Sequence, residues 1–177
     1  GATLEAAKDV ALRIVAEQGA TFIAPYDDPA IIAGQGTCGI ELLEDGPPLD
    51  ALVVPVGGGG LFSGICIAAR TLSPATEPIG VQSELFPAMI EATGRTARAP
   101  DPGWGPTIAE GIAVKEPGRL TTEIIGALAD DVVAVPERLI EEAVVRFLEV
   151  EKMVAEGAGA APLAALLDDP GRFSGRT

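Results

Sequence analysis

The residues with the clearest capacity for chemistry are four consecutive glycines, Gly57–Gly60, within VVPVGGGGLFSG (Val53–Gly64). They stand between a continuous apolar run, LDALVVPV (Leu49–Val56), and a helix-forming stretch, LFSGICIAARTL. Glycine lets the backbone approach a ligand closely and reach positive φ. The N–H groups of such a loop, together with the start of the following helix, make an anion site that needs no basic side chain. A tight strand-to-helix turn that binds nothing would need one or two glycines. Four carry an added entropic cost on folding, so the run points to a phosphate-bearing ligand.

Spacing narrows the choice of phosphate. A Walker A loop requires GxxxxGK[ST], and no lysine follows these glycines, which excludes nucleotide hydrolysis of that kind. A dinucleotide fingerprint requires GxGxxG. Counted from Gly58, the third glycine position holds Ser63, and only a looser GxGxxxG through Gly64 fits. Glu84 lies about 20 residues further on, near where a ribose-binding acid would sit, so a Rossmann-type dinucleotide-binding protein remains open on spacing alone. The chain has no histidine, which removes histidine triads, histidine metal sites and imidazole acid–base catalysis. Cys38 and Cys66 form neither a CxxC nor a zinc pattern and are expected to be two small buried residues in a reduced cytoplasm.

The elements that must position the glycines alternate between helical and strand-like patterns. Thr3 is placed to cap a helix through LEAAKDVALRIVAEQG that Gly19 ends. TFIAP (Thr21–Pro25) reads as a short β-rich run, YDDPAI as a loop, and GTCGIELLED as a helix. PIGVQSE (Pro78–Glu84) reads as a strand, and PAMIEATG as a helix stopped by Gly94. Arg95–Pro106, with Trp104, reads as a long loop. Gly118–Leu128 is helical, and DDVVAVP (Asp130–Pro136) is a strand. Pro136 opens an amphipathic helix with Leu139, Ala143 and Phe147 on one face and Ile140, Val144 and Leu148 beside them. AEGAGAAPLAALL follows as small-residue turns and a helix. This order predicts an α/β fold with a mostly parallel sheet and helices on both faces, in three layers. Because the pattern opens and closes on helices, the sheet is expected to be short of flanking strands. Residues 1–167 read as one large domain and 168–177 as a polar tail.

Composition agrees. With 177 residues, 47% of them hydrophobic and only 4% aromatic, the core must be built from Ala, Val, Ile and Leu. The formal charge of −14 disfavours nucleic acid and anionic membranes as partners. No stretch reaches the roughly 20 apolar residues of a membrane span, and the expected setting is the cytoplasm.

The ordered landmarks resemble the threonine/serine dehydratases and serine racemase, pyridoxal-phosphate (PLP) enzymes of fold type II. GGGGL resembles that family's phosphate-holding loop, and AGQGT (Ala33–Thr37) the segment before it. TIAEGIAV (Thr107–Val114) resembles TIADGIAV, DDVVAVPERLIEEAV the strand and helix that follow, and EKMVAEGAGAAPLAALL the family's KLVVEPAGAAALAAL. The resemblance implies that Gly57, Gly58, Gly59, Gly60 and Leu61 give backbone N–H groups to the PLP phosphate and that Gly111 lies beside the cofactor ring. Glu156 matches a family glutamate near the cofactor. It reads equally well as a solvated helix-end carboxylate.

The departures shape the expected function. The family's Schiff-base lysine belongs to an SFKxRG-type motif, and Lys8, Lys115 and Lys152 stand in no such context. The asparagine loop (SSGNH) and the late SGGN segment are not found, Pro136 replaces the usual helix-capping serine, and Gln82 and Ala88 stand where some members place metal-binding acids. The resemblance therefore implies part of an ammonia-lyase for L-threonine or L-serine, with no catalytic residue and no metal site of its own. The remaining reading is a non-catalytic phosphate-ligand module. Self-association into a homo-oligomer is expected from the exposed sheet edges and apolar faces of such a domain.

Overall fold

The apolar run after Leu49 becomes β1 (Ala51–Pro55), and it pairs in parallel with β2 (Glu77–Ser83), which pairs in parallel with β3 (Asp131–Val135). The register aligns Val54 with Gly80 and Gly80 with Val132. The structure, a computed structural model, describes residues 4–94 and 105–177. The cap expected at Thr3 and most of the loop expected at Arg95–Pro106, including Trp104, lie outside the described residues.

Side chains alternate across a strand, and here both faces are apolar. Leu52, Val54, Val56 and Val132 face a core completed by Phe62, Ile65, Met89 and Ile125. Those residues come from α3 (Gly60–Leu72), α4 (Ala88–Thr93) and α5 (Arg119–Leu128). Val53, Val81, Val133 and Val135 face the opposite core, formed by α6 (Glu137–Arg146), α7 (Gly157–Asp168) and the 3-10 turn Glu110–Ile112. The three-layer α/β fold with a parallel sheet is therefore the observed one. Its second core is built on alanine: Ala158, Ala160, Ala161, Ala164 and Ala165 of α7 are all buried, and their small size lets the helix lie close across the strands.

Helix α1 (Leu4–Gln18) ends as expected at Gly19, whose φ is +65°. Helix α2 (Pro29–Asp45) begins earlier than the sequence pattern indicates. YDDPAI is not a loop throughout, because the Asp28 carboxylate accepts hydrogen bonds from the N–H groups of Ala30 and Ile31 and Pro29 occupies the first helical turn. Thr21–Pro25 is not a strand; no neighbouring strand offers it a ladder among the described residues, and Ile23 is 72% exposed. Cys66 is buried but Cys38 is exposed, because α2 turns Ile32, Gly36 and Gly39 inward and Cys38 falls off that stripe. Helix α6 continues into a π-helical turn, Phe147–Glu151, where Leu148 is exposed rather than packed. Helix α7 starts at Gly157 and runs through Pro162.

The polar segment 168–177 holds α8 (Pro170–Phe173) and docks back on the sheet. Arg172 pairs with Asp131, Arg176 with Glu77, and the Thr177 carbonyl accepts from the N–H groups of Asp50 and Ala51 at 2.8 and 3.3 Å.

Helices α2 and α3 cross at Gly36 and Gly64. A Cβ on Gly64 would stand 2.5 Å from the Gly36 nitrogen and 2.6 Å from the Ile32 carbonyl oxygen. Gly64→Ala gains about 1 kcal/mol of helix propensity, but rigid backbone opposes the methyl, and overpacking of this kind costs about 1–3 kcal/mol. The expected outcome is a net loss of stability, read as a lower midpoint in urea unfolding.

Candidate functional site

The glycine run turns the chain from β1 into α3. Gly59 has a φ of +97°, a left-handed value that only glycine adopts freely, and it stands at the N-cap position of α3 with no side-chain cap. Gly58 is pressed against the Tyr26 ring so closely that any side chain there would overlap it. At Gly57, an added Cβ would meet the Ile112 Cα at 3.0 Å. The loop thus lies bare against its neighbours.

Its two polar sides are treated differently. The Gly58 carbonyl accepts the Thr121 hydroxyl at 2.7 Å and the Gly118 N–H at 3.3 Å. Among the described residues, the N–H groups of Gly57, Gly58, Gly59, Gly60 and Leu61 donate no hydrogen bond. Five successive donors without partners, at the mouth of a helix, fit an anion.

These donors line a cleft of ≈ 700 Å³. Gly57, Gly58, Gly59, Gly60, Leu61, Gly111 and Glu156, all singled out from the sequence, meet on it. Gly111 lies on the 3-10 turn, and an added Cβ there would come within 3.1 Å of the Glu156 Oε1. Glu156 occupies the N-cap position of α7 and remains exposed at the cleft. No Lys or Arg is among the lining residues, while Glu110 and Glu156 are. A bound anion would therefore be held by backbone dipoles and not by a cationic side chain.

Lys8 instead lines a separate hollow between α1 and residues 22–27, and the Lys152 ammonium donates to the Glu149 carbonyl at 2.6 Å. Gln82 is buried and its amide is used within the fold. Its Nε2 donates to the Val56 carbonyl, and its Oε1 accepts the N–H groups of Met89 and Ile90, both at 3.0 Å. Ala88 opens α4.

Several residues that support the site carry no local signature. The Asp27 carboxylate accepts from the N–H groups of Arg119, Leu120 and Thr121 at 3.1, 2.9 and 3.2 Å, capping α5 from over ninety residues away. Glu137 accepts from the Thr107 hydroxyl at 2.8 Å, the Ile108 N–H at 2.6 Å and the Ser83 hydroxyl at 3.1 Å. It thereby anchors the segment that carries Gly111. The only available hint was the pair of adjacent aspartates in YDDP, which cap two different helices.

Tyr26, the only tyrosine, donates its hydroxyl to the Glu116 carbonyl at 2.9 Å. Burial holds its phenol above the ordinary range, and the nearby Asp27 and Glu116 carboxylates push the same way. A raised pKa on an acid means the folded state favours the neutral form. That contribution to stability is present below about pH 10 and is lost as pH rises through the folded value. Alkaline absorbance titration should show phenolate forming later in the folded than in the urea-unfolded chain. Tyr26→Phe should flatten the alkaline fall in melting temperature.

Comparison with known proteins agrees with the geometry. The family model described as "Pyridoxal-phosphate dependent enzyme" matches residues 1–177. The chain is 48% identical over 168 residues to an L-threonine ammonia-lyase of Thermotoga maritima, covering 95% of this chain and 42% of that enzyme. It is 44% identical over 156 residues to the catabolic L-threonine dehydratase TdcB of Escherichia coli K12, covering 87% of this chain and 46% of that enzyme. Among solved structures, it superposes on a T.th. threonine deaminase with a TM-score of 0.85 at 35% identity, covering 96% of this chain and 56% of the other. Maize serine racemase gives a TM-score of 0.86 at 31% identity, with coverages of 99% and 55%. The chain spans less than half the length of these two curated relatives. The dinucleotide reading, which rested on loose glycine spacing and Glu84, has no counterpart in these matches. A donor-lined glycine turn at the end of a buried parallel strand, on a chain matched along its whole length, has one consistent placement: the chain belongs to the pyridoxal-phosphate-dependent enzyme family.

Proposed function

We propose that this chain is the phosphate-holding part of a PLP-dependent ammonia-lyase acting on L-threonine or L-serine. In that reaction the amino acid loses its α-proton and β-hydroxyl and is then hydrolysed to a 2-oxo acid and ammonia. The observation that carries the reading is the row of five unpartnered N–H groups from Gly57 to Leu61. The relatives, an L-threonine ammonia-lyase, an L-threonine dehydratase and a threonine deaminase, supply the reaction class and the substrate. In this reading, Gly57, Gly58, Gly59, Gly60 and Leu61 would hold the cofactor phosphate, and Gly111 and Glu156, on the same cleft, would lie near its ring. When bound, PLP supplies an electron sink for charge that develops at the substrate α-carbon.

Proton transfer at that carbon needs a base within about 3 Å, commonly a lysine in this chemistry. None of Lys8, Lys115 and Lys152 lines the cleft. The chain's own contribution is therefore binding and orientation, and by itself it acts as a phosphate-ligand module. Two free cysteines accord with a cytoplasmic enzyme. No helix among the described residues is long and apolar enough to cross a membrane.

The binding role is tested by titrating the isotopically labelled chain with PLP or inorganic phosphate. Amide shifts should concentrate at Gly57–Leu61, while L-threonine added with PLP should yield no 2-oxobutanoate. Shifts scattered over the surface, sparing the glycines, would remove the reading. Self-association belongs to the same proposal, since Ile23, Val150 and Val154 are 72%, 69% and 88% exposed. Sedimentation equilibrium should report dimers or larger species, and a clean monomer across the concentration range would contradict it.

A further inference from the structure

Binding through backbone donors requires each peptide of the loop to face the right way. Glycine gives little steric resistance to a rotated peptide. A flipped Gly58–Gly59 unit would offer an anion its carbonyl oxygen instead of an N–H. Something outside the loop must therefore select the orientation.

The structure contains such a selector. The Gly58 carbonyl is held by the Thr121 hydroxyl at 2.7 Å and by the Gly118 N–H at 3.3 Å. A trans peptide points its N–H opposite to its C=O, and no described peptide is cis. Holding the Gly58 oxygen toward α5 therefore turns the Gly59 N–H away from α5, which contributes none of the cleft's lining residues. Thr121 is itself fully buried. Its backbone N–H is fixed by Asp27 at 3.2 Å, and its hydroxyl also touches the Gly118 carbonyl at 3.1 Å. It cannot easily swing away.

We propose that Thr121 is a positioning residue whose buried hydroxyl locks the Gly58–Gly59 peptide with its donor toward the anion, with Asp27 setting Thr121 in place. This rests on the reading of the glycine loop as a phosphate site. It goes further by locating the loop's pre-organisation in a side chain that never meets the ligand. A peptide already held in the bound orientation spares the ligand the cost of ordering it.

The test uses the labelled 177-residue chain, inorganic phosphate as the probe, and the variants Thr121→Val and Thr121→Ser. Valine keeps the shape and removes the donor, whereas serine keeps the donor. Thermal unfolding of each variant is recorded beside the titration. With the valine variant folded, the Gly59 amide should change shift and phosphate affinity should fall about tenfold, the scale of one net hydrogen bond. Serine should restore both. Equal affinity for wild type and a folded valine variant would overturn the inference while leaving the phosphate site intact. So would serine as weak as valine, since a retained hydroxyl would then fail to preserve binding. A wild-type chain whose glycine amides ignore phosphate overturns the site reading and this inference together. Should valine prevent folding, Thr121→Cys, of similar size and a weak donor, takes its place against serine under the same criteria.

Discussion

A folded chain has to find partners for its backbone N–H groups, and the turn from β1 into α3 is where this one leaves a whole row of them open. The surrounding contacts follow from that imbalance. On the carbonyl side, Gly58 is bound twice, by Thr121 and Gly118. On the donor side, five consecutive groups meet nothing among the described residues. Tyr26, Ile112, Met89 and Thr121 all approach the bare glycine backbone closely enough to exclude side chains. The loop is thus held rigidly from behind and kept open in front. That asymmetry, more than the glycine count, separates a binding turn from an ordinary one.

How much of this could be read from residue order depends on the range of the interaction. The strands β1, β2 and β3 and the helices α3, α5 and α6 announce themselves through apolar periodicity, glycine and proline, which act within a few residues. The glycine loop was equally visible, as were Gly111 and Glu156 once the landmark TIAEGIAV and EGAGAAP segments had been recognised. Thr21–Pro25 misled because β-rich composition says nothing of whether a partner strand is present. Cys38 misled because a cysteine's usual burial gives way to its angular position on α2. Thr121 was invisible, and Asp27 showed only as half of an aspartate pair. Each matters only through a residue more than sixty positions away, and threonine or aspartate in those settings carries no distinguishing pattern.

The same remoteness recurs in the way helix starts are satisfied. Neither α4 nor α5 has a side-chain cap from its own N-cap residue. Gln82 of β2 supplies the acceptor for α4, and Asp27 supplies it for α5. Glu137 does the equivalent for the backbone at Ile108. Acceptors placed at helix starts are favourable in their own right, because they meet the positive end of the helix dipole. Borrowing them from distant segments also ties those segments to the layers around the cleft. In a chain of net charge −14, two of these buttresses are carboxylates, so part of the acidic excess serves as scaffolding.

The docking of Thr177 on the start of β1 has a bearing on synthesis. The N–H groups of Asp50 and Ala51 bond to the Thr177 carbonyl, and the Thr177 N–H bonds back to the Asp50 carboxylate at 2.9 Å. While the chain is still emerging from the ribosome, these groups have only water to bind. The beginning of the first strand therefore stays unlatched after both of its successors in the sheet have been made. That corner closes only once residue 177 is clear of the exit tunnel, well after β1 itself has been made.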